Sequence, residues 1–152
     1  MIRSACCKRS APSLSLDRIL ADTGFFVAFG RRADAYHEAA CRFLEGYHGQ
    51  LVTVSAVIVE ACHFLGPQAR VDLLNWAHFG SLSVLEVPVD AYPDLTKTIA
   101  KYANRDVDFA DAALVWLAGE SGVRRILTVD ETDFSLFRIK GGKRFEVIPW
   151  MR

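Results

Sequence analysis

Four stretches of the chain put carboxylates where apolar sequence begins or ends. “NRDVDFADAALVWLAG” (104–119) holds Asp106, Asp108 and Asp111 within six positions and then carries no charge from Ala112 to Gly119. Asp22 closes the apolar run “RILAD”, Glu60 interrupts “AVIVEACHFLG”, and Asp130 closes “RILTVD”. Ionised carboxylates only accept hydrogen bonds, so several at one place must share protons or hold a cation. Each acid also has a structural role open to it. Asp108 can cap a helix, Asp111 three residues on can favour the positive end of its dipole, and Asp22, Asp130 and Asp133 can start turns. Which role wins depends on whether the acids meet in space, and therefore on the elements that carry them.

The 152 residues are 51% hydrophobic, the size and composition of one globular domain with its own core. Lys plus Arg equals Asp plus Glu at 18 each, so any polyanion must be held by local patches rather than a global field. Cys6, Cys7, Cys41 and Cys62 form no CxxC pair and have no His at finger-like spacing, which suggests reduced thiols and a cytoplasmic setting. No apolar run reaches the roughly 18 residues of a membrane span, so no membrane partner is expected. Residues 1–17 read as a small, polar, weakly basic, flexible N-terminal extension, and 18–152 as the domain.

From Arg18 onward, strand-like runs (“RILAD”, “LVTVS”, “LSVLEVPV”, “RILTVD”, “FEVIPW”) alternate with helical ones. Ser55 is placed to cap the helix bearing Glu60, and Asp90 and Asp94 look like helix-start residues. The alternation predicts an α/β fold, a parallel sheet covered by helices on both faces. In such a sheet, function gathers beyond the carboxyl ends of the strands, at the switch point. Asp22 and Asp130 end strands there. Glu60 lies in a helix leaving the second strand, and the helix opened by Asp108 and Asp111 runs back from that same edge. If the first strand is central, flanked by the second and fourth, these carboxylates face one cleft. Two of them about 5 Å apart repel by roughly 3 kcal/mol at an effective dielectric of 20. The natural counter-charge is a hard cation, Mg²⁺ or Mn²⁺, which prefers oxygen ligands and can activate water for in-line displacement at phosphorus.

The set “ADTGFFVAF”, “SAVIVEACHFL”, “DFADAALVWLA” and “LTVDETDF”, in that order, resembles the PIN-domain family, specifically VapC-like ribonucleases of toxin–antitoxin pairs. The resemblance runs from about Ile19 to Pro149. It implies a single domain with a five-stranded parallel sheet in the order 3-2-1-4-5, Mg²⁺ or Mn²⁺ dependence, RNA as substrate, a cognate antitoxin and frequent homodimers. Carried onto this chain, it implies metal-binding and catalytic roles for Asp22, Glu60, Asp111 and Asp130, with Thr23 and Thr128 as supporting hydroxyls. Gly24 departs from the Ser or Asn common there, and Glu131 and Thr132 fill the spacer before Asp133 and Phe134.

The segment “RIKGGKR” carries Arg138, Lys140, Lys143 and Arg144 around a Gly-Gly centre. It is either a solvated loop or an arm gripping RNA phosphates with help from Arg31 and Arg32. His63 and Cys62 read as packing, and Phe109 and Trp116 as core. Three functions fit in different degrees. The first is a metal-dependent endoribonuclease, as toxin or as a solitary RNA-processing nuclease. The second is a PIN-like nucleic-acid-binding module without catalysis. The third, a phosphotransfer domain using Asp22 as covalent acceptor, lacks the second Asp two residues on, where Gly24 stands.

Overall fold

The computed structural model describes residues 17–152. The expected extension over 1–17 lies outside the described residues except for Asp17. That residue belongs to the domain: its carboxylate accepts from Arg125 at 2.7 Å and its carbonyl from the Gln50 N–H at 2.8 Å. Cys6 and Cys7 also lie outside the described residues.

The chain alternates as expected. β1 (Arg18–Ala21) leads to α1 (Thr23–Gly30) and α2 (His37–Gly46), then β2 (Gln50–Val54) to α3 (Ser55–Phe64) and α4 (Pro67–Phe79). β3 (Leu82–Leu85) is followed by α5 (Tyr92–Lys101) and α6 (Phe109–Ser121) before β4 (Arg125–Leu127). α7 (Glu131–Leu136), a hairpin of β5 (Arg138–Ile139) and β6 (Lys143–Arg144), and β7 (Glu146–Val147) complete it.

The main sheet is parallel with strand order β3-β2-β1-β4-β7, the 3-2-1-4-5 arrangement when only its own strands are counted. β1 is central because its inner residues Ile19, Leu20 and Ala21 are fully buried, and only a strand covered on both faces tolerates that run. α6 lies against β2, α3 and α5, and its apolar residues are buried around most of its circumference. Its acidic start is therefore held at a fixed place.

Two elements were not foreseen. The short helix α7 follows β4, so a helix separates the fourth strand from the fifth strand of the sheet as well. “RIKGGKR” is a hairpin, with Arg138 paired to Arg144 and Ile139 to Lys143. Gly141 and Gly142 take φ of 84° and 77°, which is why two glycines occupy its turn.

Candidate active site

Asp22 is the first residue past the buried end of β1, and its backbone turns there from extended to helical. As N-cap of α1, its Oδ1 accepts from the Thr23 N–H at 2.7 Å. Its Oδ2 accepts from the Thr128 hydroxyl at 2.9 Å across the β1–β4 junction. The Thr128 oxygen in turn accepts from the Asp130 N–H at 3.0 Å, and its carbonyl from the Trp150 indole N–H at 3.1 Å. Trp150 also packs edge-on against Phe25 of α1, at 5.0 Å between centroids. A residue near the carboxyl terminus thus pins both sides of the strand end that orients Asp22, a support the sequence did not announce.

Gly24 has a local reason. A Cβ there would run into Cγ2 of Val129, so glycine lets the first turn of α1 close on the loop carrying Thr128.

Asp108 and Asp111 form a reciprocal capping box. Asp108 Oδ1 accepts from the Asp111 N–H at 2.9 Å, and Asp111 Oδ2 from the Asp108 N–H at 3.3 Å. The structural reading of these two acids is therefore correct, and they belong to a larger acidic group as well. Burial pushes the Asp22 carboxyl up to about 6, opposed by its two donors and assisted by the charges of Glu60 and Asp108. Burial likewise pushes Asp111 up to about 8, with the charges of Asp22 and then Asp108 adding to it. Glu60, partly buried on α3, is raised by burial and then by Asp108, while the nearby Thr23 pulls it down. The Thr23 Oγ1 is nonetheless buried without a well-formed hydrogen bond. Asp22, Glu60, Asp108 and Asp111 thus sense one another at the carboxyl edge of the sheet.

Asp130 does not join that group. It caps α7, with its Oδ1 accepting from the Asp133 N–H at 3.3 Å, and its carboxyl is raised by burial and by Asp133 while Arg105 lowers it. Asp133 is held by Arg105 at 2.8 Å. Asp108, whose charge acts on Asp22, Glu60 and Asp111, is the fourth carboxylate beside them. Asp130 reaches Asp22 only through Thr128.

The six cations suggested for RNA lie away from these acids. Arg31 and Arg32 follow α1, whose eight residues span about 12 Å from the Asp22 end. Arg32 lines a cavity of about 610 Å³ against the far half of α1, larger than the groove of about 430 Å³ beside Glu60 and Asp108 but without their carboxylates. Lys140 approaches Glu120 at 4.0 Å, at the carboxyl-terminal end of α6 and about 18 Å along that helix from Asp108. Lys143 and Arg144 are exposed on β6. Arg138 is partly engaged, because its Nη1 donates to the carbonyls of Ser135, Leu136 and Phe137 and so closes the end of α7. Ser55 does not cap α3 either; its hydroxyl donates to Glu86 Oε2 at 2.7 Å. Phe109, expected in the core, is 41% exposed, and His63 is exposed as well.

The Thr128 contact can be weighed directly. Thr128→Val should destabilise the metal-free protein by about 1–3 kcal/mol near pH 8, because the buried Asp22 carboxylate loses a donor. Part of the loss persists near pH 5, where Asp22 is largely neutral, since the Asp130 N–H loses its acceptor too. Thr128→Ser should retain most of both bonds; urea unfolding of the three proteins at the two pH values measures this.

No protein-family model matches the chain. Ribonuclease VapC26 of Mycobacterium tuberculosis is 28% identical over 135 residues, spanning 86% of this chain and 100% of that protein. The crystal structure of Mycobacterium tuberculosis VapC20, described as a sarcin–ricin loop cleaving toxin, matches with a TM-score of 0.66 at 23% identity, over 71% of this chain and 86% of VapC20. The parallel sheet order and the fold likeness to one VapC protein give the chain a PIN-like fold, and its sequence is similar to that of another VapC protein, in keeping with the acids at the carboxyl edge of the sheet.

Proposed function

We propose that the chain is a metal-dependent endoribonuclease, the toxin of a toxin–antitoxin pair, hydrolysing RNA phosphodiester bonds in the cytoplasm. The observation that carries this reading is the convergence of Asp22, Glu60 and Asp111, with Asp108, from three separate places in the sequence onto one sheet edge. Capping explains the local conformations of Asp22, Asp108 and Asp111 but not why Asp22, Glu60 and Asp111 are crowded until their carboxyls resist ionisation. The names of VapC26 as a ribonuclease and VapC20 as a cleaving toxin add support. An antitoxin protein and a second copy of the chain are the partners that go with it.

The residues suit a hard cation. All the donors are oxygens, and the buried Thr23 hydroxyl without a hydrogen-bond partner adds another beside Glu60. Among the described residues no three His, Cys, Asp or Glu side chains form a ready-made cage, so an ion here would keep part of its water shell, as Mg²⁺ does. Asp22, Glu60 and Asp111 would hold Mg²⁺ or Mn²⁺, which when bound screens the phosphate and acidifies a water. The protein supplies orientation. The Thr23 N–H and the Thr128 hydroxyl fix the plane of the Asp22 carboxylate, and the capping box fixes Asp111. Glu60 is open to the groove beside it, and a carboxyl displaced toward neutrality is suited to exchanging a proton with water.

Single-stranded RNA incubated with Mn²⁺ or Mg²⁺ should be cut internally and should survive in EDTA. Intact RNA under all three conditions would overturn the reading, and tight binding without cleavage would leave a nucleic-acid-binding module. Expression in bacterial cells should arrest growth, and Asp22→Asn should relieve the arrest.

A further inference from the structure

Beside the acids lies a groove of about 430 Å³ between α3, the segment after β3 and the starts of α5 and α6. It shares Glu60 and Asp108 with the acidic group. Its other wall holds Tyr92 and Phe109, whose rings meet edge to face at 5.7 Å and 82°. Both are large apolar side chains left well exposed, 44% for Tyr92 and 41% for Phe109, and Val59 beside them is 71% exposed. Among the described residues that line the groove there is no Lys or Arg. The charged side chains that a phosphate would meet there are the carboxylates of Glu60, Glu86 and Asp108. A nucleobase suits the groove better, because it is uncharged and presents a π face with hydrogen-bonding edges.

The polar edge of the groove narrows the choice of base. Glu86 is steadied by the Ser55 hydroxyl on Oε2, which leaves Oε1 to accept. A carboxylate accepts from the amino groups of adenine, cytosine or guanine, whereas the one ring donor of an unpaired uracil, its N3–H, lies between two carbonyl oxygens that repel the carboxylate. Because the paired rings already brace one another, little side-chain freedom is lost when a base stacks on them. We propose that this groove seats an unpaired, amino-bearing RNA base next to the phosphate that is cut, stacked on the face of one ring of the Tyr92–Phe109 pair with its edge against the other, and read by Glu86. The proposal rests on the nuclease reading for its substrate class, and it names the contact that would make the enzyme prefer unpaired RNA.

The test uses fluorescein-labelled octauridylate and the same octamer with one central A, C or G, with anisotropy measured in EDTA so that binding is read apart from cleavage. The substituted octamers should bind wild type about 10-fold tighter than octauridylate. Tyr92→Ala and Phe109→Ala should each weaken their binding about 10-fold, while Tyr92→Phe and Phe109→Tyr, which keep a ring, should not. Glu86→Gln should erase the preference, because an amide also donates to uracil carbonyls. Equal binding of all four octamers, no binding of any, alanine variants that bind like wild type, or alanine variants that instead change the sedimentation of a dimer would each overturn the proposal. Cleavage of the octamers in Mn²⁺ is scored separately. Ring-dependent binding without cleavage would retire the nuclease reading and support the base seat, whereas cleavage without ring dependence would do the reverse.

Discussion

Asp22→Asn, Glu60→Gln and Asp111→Asn should each lower Mn²⁺-supported RNA cleavage on the order of 100-fold or more while the fold survives. Each amide preserves the shape of the side chain and removes one of the negative charges on which the proposed cation binding depends. For Asp22 the change also disturbs a carboxylate held on both oxygens, by the Thr23 N–H and the Thr128 hydroxyl. An amide nitrogen facing either donor would leave that bond unmade. Asp130→Asn and Asp133→Asn should cost much less activity, because these acids face each other and Arg105 at the start of α7 rather than the group around Asp22. Initial rates on single-stranded RNA, with circular dichroism to check folding, give the comparison. Wild-type rates in any two of the first three variants would remove the site assignment. A loss at Asp130 as large as at Asp22 would mean that the two acids act together despite their separation.

The sheet order could be read from the sequence because β1, β2 and β4 are short apolar runs separated by helical stretches, and buried parallel strands allow few other arrangements. The positions of Asp22, Glu60 and Asp111 followed from that order, since an acid at a strand end or helix start inherits the place of its element. What failed to follow were choices among partners. Asp130 and Asp108 are both acids beside an element start, and only packing decides that Asp108 turns toward Asp22 while Asp130 turns to the backbone of α7. “RIKGGKR” reads as a free basic arm because composition cannot show that Arg138 Nη1 donates to three carbonyls or that the hairpin meets α6 at the end opposite its acids. Phe109 looked like core because it opens an apolar run. A residue at the first turn of a buried helix has yet to enter the core, and its ring lies in the groove instead.

Without divalent cations the protein should lose stability as pH rises from about 4 to about 8, and Asp111→Asn should flatten much of that slope. Asp22 and Asp111 carry folded-state pKa values raised from 3.8 to about 6 and about 8. In that interval the unfolded chain has released these protons while the native state still binds them, so each further rise in pH favours unfolding. Their stabilising contribution is complete below the unfolded value and is lost as pH passes through the folded ones. For the buried Asp22 alone the loss amounts to on the order of 3 kcal/mol. Were Asp111 only a helix cap, Asp111→Asn would lower stability at neutral pH by about 0.5 kcal/mol through lost charge–dipole attraction. Crowded against Asp22 and Asp108, it should instead leave the metal-free protein equally stable or more so at pH 8, because repulsion is relieved. Mn²⁺ should reverse the ranking, since a ligand that binds only the native state raises stability by mass action and the variant offers it one carboxylate fewer. Thermal melts of both proteins between pH 4 and 8, with and without a Mn²⁺ titration, separate the two roles. Equal Mn²⁺-induced shifts in Tm would take Asp111 out of the metal site, and a metal-free Tm that rises with pH would remove the crowding of the acids from which that site was inferred.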